Sequence, residues 1–504
     1  RLDVAALLCR GTIYKTGIIT MRATGTAVGF VYLLSCAATA QLSPDVREYV
    51  KFDAQVIAIT GARVIDGTGA TTRTGQTILI RDDKIESIGT SSIPSGAKVI
   101  DATGRTVLPG LIDMHGHMFY TAGNVYHKDG SLAIGGITLN EMLYTYPRLY
   151  LAAGVTSVRT AGAIEPYTDL NLKKWIDRGM VPGPKMDVTS PYMEGEGTMF
   201  PQMHELTSPA DAQKTAAYWA DEGVTSFKAY MNITRAELKA LIDEAHRRGL
   251  KVTGHLCSVT SREAAALGID NLEHGPIAVD TEFVVNKVPD KCPPFKDMLD
   301  AQAHVDVNGP MVQQITDDLI RHHVAVTSTL SVYELDVPSH LPIRKEVTDA
   351  MLPESLASYL AARKRANGDP RWLMRLQKEM EWERAFCAAG GKLLAGSDPT
   401  GVGAILGGDL AGYGMQRELE LLVEAGFTPL QAIHIATQGN AEFLGRSDQI
   451  GTIAPGKQAD LVIVEGDPST NIADIEKVET VFKGGVAYDP VKLAESVRGM
   501  VGLR

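Results

Sequence analysis

The chain predicts an α/β protein: a barrel of eight parallel strands alternating with helices, joined to a small β domain assembled from both ends. Three observations carry that prediction. Between residues 107 and 445, short apolar runs alternate with stretches of helical periodicity, the mark of repeated βα units. Residues 54–105 and about 450–490 instead show alternation, β-branched residues and Gly/Asp turns. Finally, His115, His117, Lys228, His255, His274 and Asp398 each stand at or next to the carboxyl end of an apolar run, the end at which β/α barrels assemble their sites.

Taken in order, residues 1–40 are not expected to belong to the fold. Residues 1–20 read as translation upstream of the start. Met21 opens a segment with one arginine, an apolar stretch from Ala27 to Leu34 and then Ala38-Thr39-Ala40, which reads as a secretory signal cleaved before Gln41. Leu33-Leu34-Ser35-Cys36 offers a rival, a lipid-modified cysteine at Cys36. The apolar run is too brief to span a bilayer. Either way the expectation is an exported, periplasmic or secreted protein.

Residues 41–106 predict the N-terminal part of the β domain, through QVIAITGARVIDG, TILIRDDKIESIG and AKVIDATGRTVLPG. The barrel is expected over 107–445. Its strands are read at about 107–115, 154–160, 185–190, 224–230, 250–255, 269–274, 324–330 and 392–398. Helical stretches separate them, for example 235–249, which stops at Gly249. Two insertions, 280–312 after strand 6 and 335–390 after strand 7, leave from the catalytic face and are candidate lids or substrate walls; the second holds a strongly helical stretch at 371–386. Residues 446–504 predict the C-terminal part of the β domain. His322 and His323, before strand 7, fall at the opposite end and read as structural.

Composition narrows the partners. The 504 residues hold 49 Lys+Arg against 60 Asp+Glu, a net charge of −11, which argues against nucleic acid or an anionic membrane as the main partner. A small-molecule substrate and no transmembrane span are expected. After cleavage only Cys257, Cys292 and Cys387 would remain, enough for one disulfide with one thiol left over. Cys257, two residues past His255, reads as a buried, inert cysteine.

The residue types at the strand ends point to metal-assisted hydrolysis. His115 and His117 are two apart on a strand, so both imidazoles leave the same face and can share one divalent metal. Lys228 sits inside the apolar run VTSFKAY, where burial drives it toward the neutral amine. A neutral amine can take up carbon dioxide, and the resulting carbamate can bridge two cations; a salt-bridged lysine at the barrel mouth is the alternative. His255 and His274 come from the next two strands and would complete a second metal site. Asp398 can touch one metal, take the proton of a metal-activated water and return it to a leaving amine; Asp before Pro-Thr-Gly also reads as a turn. Tyr230 shares the strand face of Lys228 and can hydrogen-bond substrate or simply pack. His127, Lys128 and His204, in predicted loops, are candidate partners of an anionic substrate group or plain surface residues.

These motifs strongly resemble the amidohydrolase superfamily, and most of all its imidazolonepropionase-like, prolidase-named branch, which includes dipeptidases and ochratoxin-type amide hydrolases. The likeness runs through ITGARVIDGTG, PGLIDMHGH, GVTSVRTAG, KAY, GH, LEHG, AGSD, TPLQAIHIATQGNAEFLG and GTIAPGKQADLVIVEGDP. It implies a (β/α)8 TIM barrel with a β-sandwich-like domain and a binuclear site, with Zn2+ as the expected metal. His115, His117 and Asp398 would hold the more buried ion and His255 and His274 the other, with carboxylated Lys228 as bridge and Asp398 as general base and acid. The family's arginine-aspartate pair on strand 2 is Arg159-Thr160 here, a departure. The implied activity is cleavage of a C–N amide bond in a dipeptide or N-acyl amino acid. A lactonase would need the same machinery. A deaminase is disfavoured by Lys228, and a metal-binding scaffold with a dead site by the presence of all six residues. Barrels of this kind commonly assemble, so a homo-oligomer is expected.

Overall fold

Parallel strands occupy the middle of the chain. The computed structural model describes residues 42–90, 92–122, 138–198, 200–337, 339–365, 368–400 and 409–502. Leu111–Gly116 (β1), Val155–Thr160 (β2) and Lys185–Asp187 (β3) form a three-stranded sheet with β2 at its centre. Thr189–Met193 (β4), Ser226–Ala229 (β5), Lys251–Gly254 (β6), Asn271–Glu273 (β7), Ala325–Ser328 (β8) and Leu393–Ala395 (β9) form a six-stranded sheet in chain order. Every pairing in both sheets is parallel. The strands read as near-continuous apolar runs because both faces are covered: every residue of β1, β2, β5, β7, β8 and β9 is buried.

Two of the expected strands are each split in the structure. The run at 107–115 divides at Gly110, whose backbone passes so close to Thr156 that a Cβ would lie 2.1 Å from its hydroxyl. Arg105–Pro109 pairs antiparallel with Leu461–Glu465, while Leu111–Gly116 joins the parallel strands. The run at 185–190 divides at Val188: β3 pairs with β2 and β4 with β5. Backbone hydrogen bonds also run from Thr225 N–H to the Val188 carbonyl (2.8 Å), and from Asp398 N–H, beyond β9, to the His115 carbonyl of β1 (2.7 Å).

The β-rich ends of the chain interleave in one nine-stranded sheet. Its order is Val50–Phe52, Val486–Tyr488, Val478–Lys483, Leu461–Glu465, Arg105–Pro109, Val56–Val64, Arg73–Arg81, Lys84–Gly89, with Lys98–Asp101 alongside Val56–Val64. Ile57, Ile59, Ile78, Ile80, Ile463 and Phe482 form a core of its own, apart from the larger core around the parallel strands.

Helices follow their start and stop signals. Arg235–Arg247 opens with a capping box between Thr234 and Glu237, which satisfies two orphan N–H groups. The predicted 371–386 helix spans Pro370–Ala388. Among the described residues no helix is long and apolar enough to cross a membrane.

The two insertions behave differently. The start of the second brings Leu335 and Asp336 to the cavity described below, and its Pro370–Ala388 helix packs against β9 and the short helix Pro276–Val279, with Glu379 accepting from Ala278 N–H (2.7 Å). No residue of 280–312 lines that cavity. That segment is fastened to the loop after β6 by a Cys257–Cys292 disulfide, by Thr281 Oγ1 to the Cys257 carbonyl (2.7 Å) and by Lys287 Nζ to the Ser258 carbonyl (2.6 Å). Cys257 is therefore a cross-linked cysteine rather than an inert thiol, and Cys387 is the free one.

Candidate metal centre

The six residues expected at strand ends line one cavity of about 260 Å³. His115 lies within β1 and His117 just beyond it; Lys228 lies within β5; His255 and His274 directly follow β6 and β7; Asp398 stands three residues beyond β9. Asp398 is the hub. Its Oδ1 lies 3.2 Å from His117 Nε2 and 3.7 Å from His115 Nε2, and its Oδ2 lies 4.0 Å from His274 Nε2. The His255 and His274 rings are 4.5 Å apart, and the His115 and His274 rings 4.7 Å. His115, His274 and Asp398 each offer one atom to a group spanning no more than 4.8 Å.

Two of these residues carry backbone strain. His274 (φ 75°) and Asp398 (φ 56°) sit in the left-handed region, which is uncommon for residues other than glycine and is maintained only where the surroundings over-determine it. His274 N–H is held by the Thr327 carbonyl (2.8 Å) and Asp398 N–H by the His115 carbonyl. The next residue, Gly275 (φ 83°), must be glycine, because a Cβ there would meet a Glu379 oxygen at 1.8 Å.

The donor set fits divalent cations. His115 Nδ1 lies 2.8 Å from Glu273 Oε2, and His117 Nδ1 lies 3.1 Å from the Gly162 carbonyl. An ionised carboxylate and a carbonyl only accept, so each imidazole carries its proton on Nδ1. In a neutral ring so protonated Nε2 is the ligating nitrogen, and both Nε2 atoms face the Asp398 carboxylate, a set of donors that a cation can join. Imidazole nitrogen and carboxylate oxygen suit zinc and its neighbours. Burial, reinforced by Lys228, pushes His115 down to about 4 and His255 to about 3, leaving both in the neutral, ligating form. Burial raises Asp398, but the cationic forms of His115, His117 and Lys228, present at the low pH where it titrates, outweigh that and hold its carboxyl below the usual range. Lys228 is fully buried, and its Nζ has no hydrogen-bond partner among the described residues. Burial brings it down to about 8 despite Glu273 and Asp398.

The remaining candidates divide. Tyr230 lines the cavity and packs edge-on against His255 (5.2 Å) and Tyr192 (4.6 Å). His204 does not reach it. It is an exposed residue whose Nε2 lies 3.2 Å from Asp211, in a neighbouring groove lined also by Tyr218 and Trp219. His127 and Lys128 lie outside the described residues.

With the geometry in place, comparison with known proteins decides the family. The model of the amidohydrolase family matches residues 106–280 and 348–487. The chain belongs to the amidohydrolase family. A dihydroorotase of Pelotomaculum thermopropionicum is 24% identical over 436 residues, covering 82% of this chain and 90% of that protein. Among solved structures, a Xaa-Pro dipeptidase with bound methionine matches with a TM-score of 0.61 and 21% identity over 86% of this chain and 100% of the other. Ochratoxinase from A. niger matches with a TM-score of 0.59 and 17% identity, over 89% and 100%. This amidohydrolase is a hydrolase acting on C–N bonds.

Several residues that shape the amidohydrolase site are ones sequence reasoning passed over. Glu273 is fully buried and takes Arg159 NH2 at 2.6 Å besides His115. Arg159, noted in the sequence only for lacking an aspartate after it, donates Nε to the Met114 carbonyl (2.7 Å); Thr160 accepts from Thr189 N–H (3.0 Å). The signal that singled out Lys228, a charged residue in an apolar run, applies equally to Arg159 in VTSVRT and Glu273 in NLEH. Asp113 accepts from His115 N–H (3.0 Å), Ser397 N–H (3.1 Å) and Ser397 Oγ (2.5 Å), which ties β1 to the turn bearing Asp398. His274 Nδ1 meets Thr329 Oγ1 at 2.6 Å. The rest of the cavity wall is largely apolar: Phe119, Leu139, Tyr192, Phe200, Val332 and Tyr333.

Proposed function

We propose that the chain is an exported binuclear metal-dependent amidohydrolase that cleaves a C–N amide bond in a dipeptide or N-acyl amino acid, ochratoxin-type amides included. The observation that carries this is the convergence of His115, His117, Lys228, His255, His274 and Asp398 on one cavity, with imidazole nitrogens facing a carboxylate. The parallel strands β1 to β9 are read as one closed (β/α)8 barrel, β3 and β4 sharing a place, with the nine-stranded sheet as the domain built by both ends. Burial brings Lys228 down to about 8, which raises the share of neutral amine that carbamate formation draws on, and as a carbamate it would bridge two ions.

His115, His117 and Asp398 would hold one ion, and His255 and His274 the other. Bound divalent ions, zinc for preference, polarise a carbonyl and acidify a water molecule. Asp398 accepts the proton of the attacking water as its oxygen bonds to the amide carbon. It then delivers that proton to the departing nitrogen, so that a carboxylic acid and an amine leave. Apolar Phe119, Phe200, Val332 and Tyr333 exclude bulk water and take the hydrophobic arm of the substrate. Export is supported by the Cys257–Cys292 disulfide, since such bonds persist mainly in oxidising compartments.

The test is hydrolysis of a matched panel of dipeptides, N-acyl amino acids and lactones by the zinc-loaded protein, with Asp398→Asn as blank. Turnover of amides is expected; activity confined to lactones would overturn the substrate class. Lys228→Ala is expected to lose metal and activity together, and full retention of both would remove the carbamate. Mass spectrometry should find Gln41 at the mature N-terminus; a lipid-bearing Cys36 would replace secretion by anchoring.

A further inference from the structure

Beneath the metal-binding residues lies a polar layer that the reaction does not use. Glu273 Oε1 takes Arg159 NH2 (2.6 Å) and the Thr253 hydroxyl, and its Oε2 takes His115 Nδ1 (2.8 Å). Arg159 reaches from β2 to the Met114 carbonyl, one residue before His115 (2.7 Å), and to Asn271 Oδ1 (2.9 Å), two residues before Glu273. Thr327 on β8 also donates to Asn271 Oδ1 (3.1 Å). All five side chains are buried. A buried ion pair is seldom the most stable filling for a core: apolar residues of similar volume do as well or better, whereas removing one partner is severe. A pair at this position therefore calls for a reason other than stability.

We propose that Glu273 is a positioning residue for His115, locking its imidazole in the Nδ1–H tautomer with Nε2 directed at the cation site, and that Arg159 holds Glu273 in the place where it can do so. Among the ligand histidines whose Nδ1 has a described partner, only His115 depends on a carboxylate side chain. His117 is locked by a backbone carbonyl, which no substitution removes, and His274 by Thr329, a hydroxyl that can donate or accept. The tautomer of His115 depends on one side-chain carboxylate, which is 158 residues away in the chain and acceptor-only while Arg159 is beside it. In Glu273→Gln the amide can present its NH2 group to Nδ1, which would put the proton on Nε2 and block the ligand position. The inference rests on the binuclear reading, because it assigns His115 a lone pair to present.

Two measurements test it together. In metal-free wild-type protein with 15N-labelled histidine, the His115 signal, assigned by its loss in His115→Gln, should show a protonated Nδ1 and a bare Nε2. Chelator competition should then show Glu273→Gln binding zinc roughly 10- to 100-fold more weakly than wild type, the usual cost of losing such a partner. Because a lone Arg159 can unfold the core, the double variant Arg159→Met/Glu273→Leu is measured alongside. A double variant that folds but still binds zinc weakly supports positioning. One that folds and binds zinc as wild type does shows the pair to be a core filling and overturns the proposal, as does a wild-type His115 protonated on Nε2. Wild-type protein that takes up no divalent metal, yet shows the Nδ1–H tautomer, would sink the binuclear reading while leaving the tautomer lock standing.

Discussion

Buried carboxyl groups flank the metal centre on two sides, and the two sides are handled in opposite ways. Under His115, Glu273 is fully buried, but Arg159, His115 and Lys228 outweigh its desolvation and hold it far below the usual range. Behind β8 and β9, Glu379, Glu383, Glu418 and Asp409 are equally buried, and burial drives all four upward, Glu418 to about 7. Ser328 Oγ lies 2.9 Å from Glu383 and 2.5 Å from Glu418. One hydroxyl has one proton to give, so one of these carboxyls supplies its own. The difference teaches that burial alone does not decide whether an acid is charged; around Glu273 several cations converge and outweigh it. Glu273 meets His115, whereas Glu383 and Glu418 join the helices Pro370–Ala388 and Tyr413–Glu424 to the strand that ends at Ser328.

The largest effect belongs to the charged side. Asp398→Asn should lower kcat by about 10³-fold, within the range for loss of a general acid–base group, with the fold intact by circular dichroism. Turnover near wild type would mean that proton transfer belongs to another residue.

A smaller effect is expected on the neutral side, and its sign follows from linkage. The proton on Glu418 is bound more tightly in the folded state (about 7) than in the unfolded chain (4.5). Its contribution is thus complete below about pH 4.5 and is lost as pH rises through about 7, by about 3 kcal/mol at most. Glu418→Gln, which mimics the protonated acid, should be more stable than wild type in urea at pH 8.5 and no more stable at pH 5. An unchanged pH slope would show Glu418 to be ionised and would erase the contrast with Glu273.

Smallest is the effect where the two regions touch. Gly275→Ala, between His274 and Glu379, forces a side chain into φ 83° and onto a Glu379 oxygen. It should cost about 2–3 kcal/mol, read as a lower thermal midpoint, together with weaker zinc binding through displaced His274. A loss of stability with zinc affinity untouched would mean that the neutral region does not reach the ligands.

Much of this was legible in the sequence, for a physical reason. A strand buried on both faces is an uninterrupted apolar run, so LIDMH, VTSFKAY and LLAGSD declare themselves, and a ligand at the end of such a run stands out by polarity alone. What stayed hidden depends on pairing between distant segments. Nothing local says that Arg159 meets Glu273, or which two of Cys257, Cys292 and Cys387 join. The splitting of residues 107–115 at Gly110 follows from Thr156 packing against that backbone, not from the run itself, which continues in apolar residues on both sides. The left-handed backbone at His274 and Asp398 has no signature of its own, because tertiary hydrogen bonds impose it on residues that do not favour it. His204, which the sequence left between an anion partner and a plain surface residue, is exposed beside Asp211, a neighbour that nothing local announces.

The interleaved sheet has a consequence for how the chain comes to be folded. Arg105–Pro109 finds its antiparallel neighbour, Leu461–Glu465, roughly 350 residues later, a pairing of very high sequence separation and therefore slow to form. A chain that emerges N-terminal end first leaves that strand with an open edge until everything between has followed. An unpaired apolar edge is an invitation to other chains. The step most exposed to misassembly is thus the closing of that seam rather than the building of the site, and a holding chaperone would have its greatest effect on yield there.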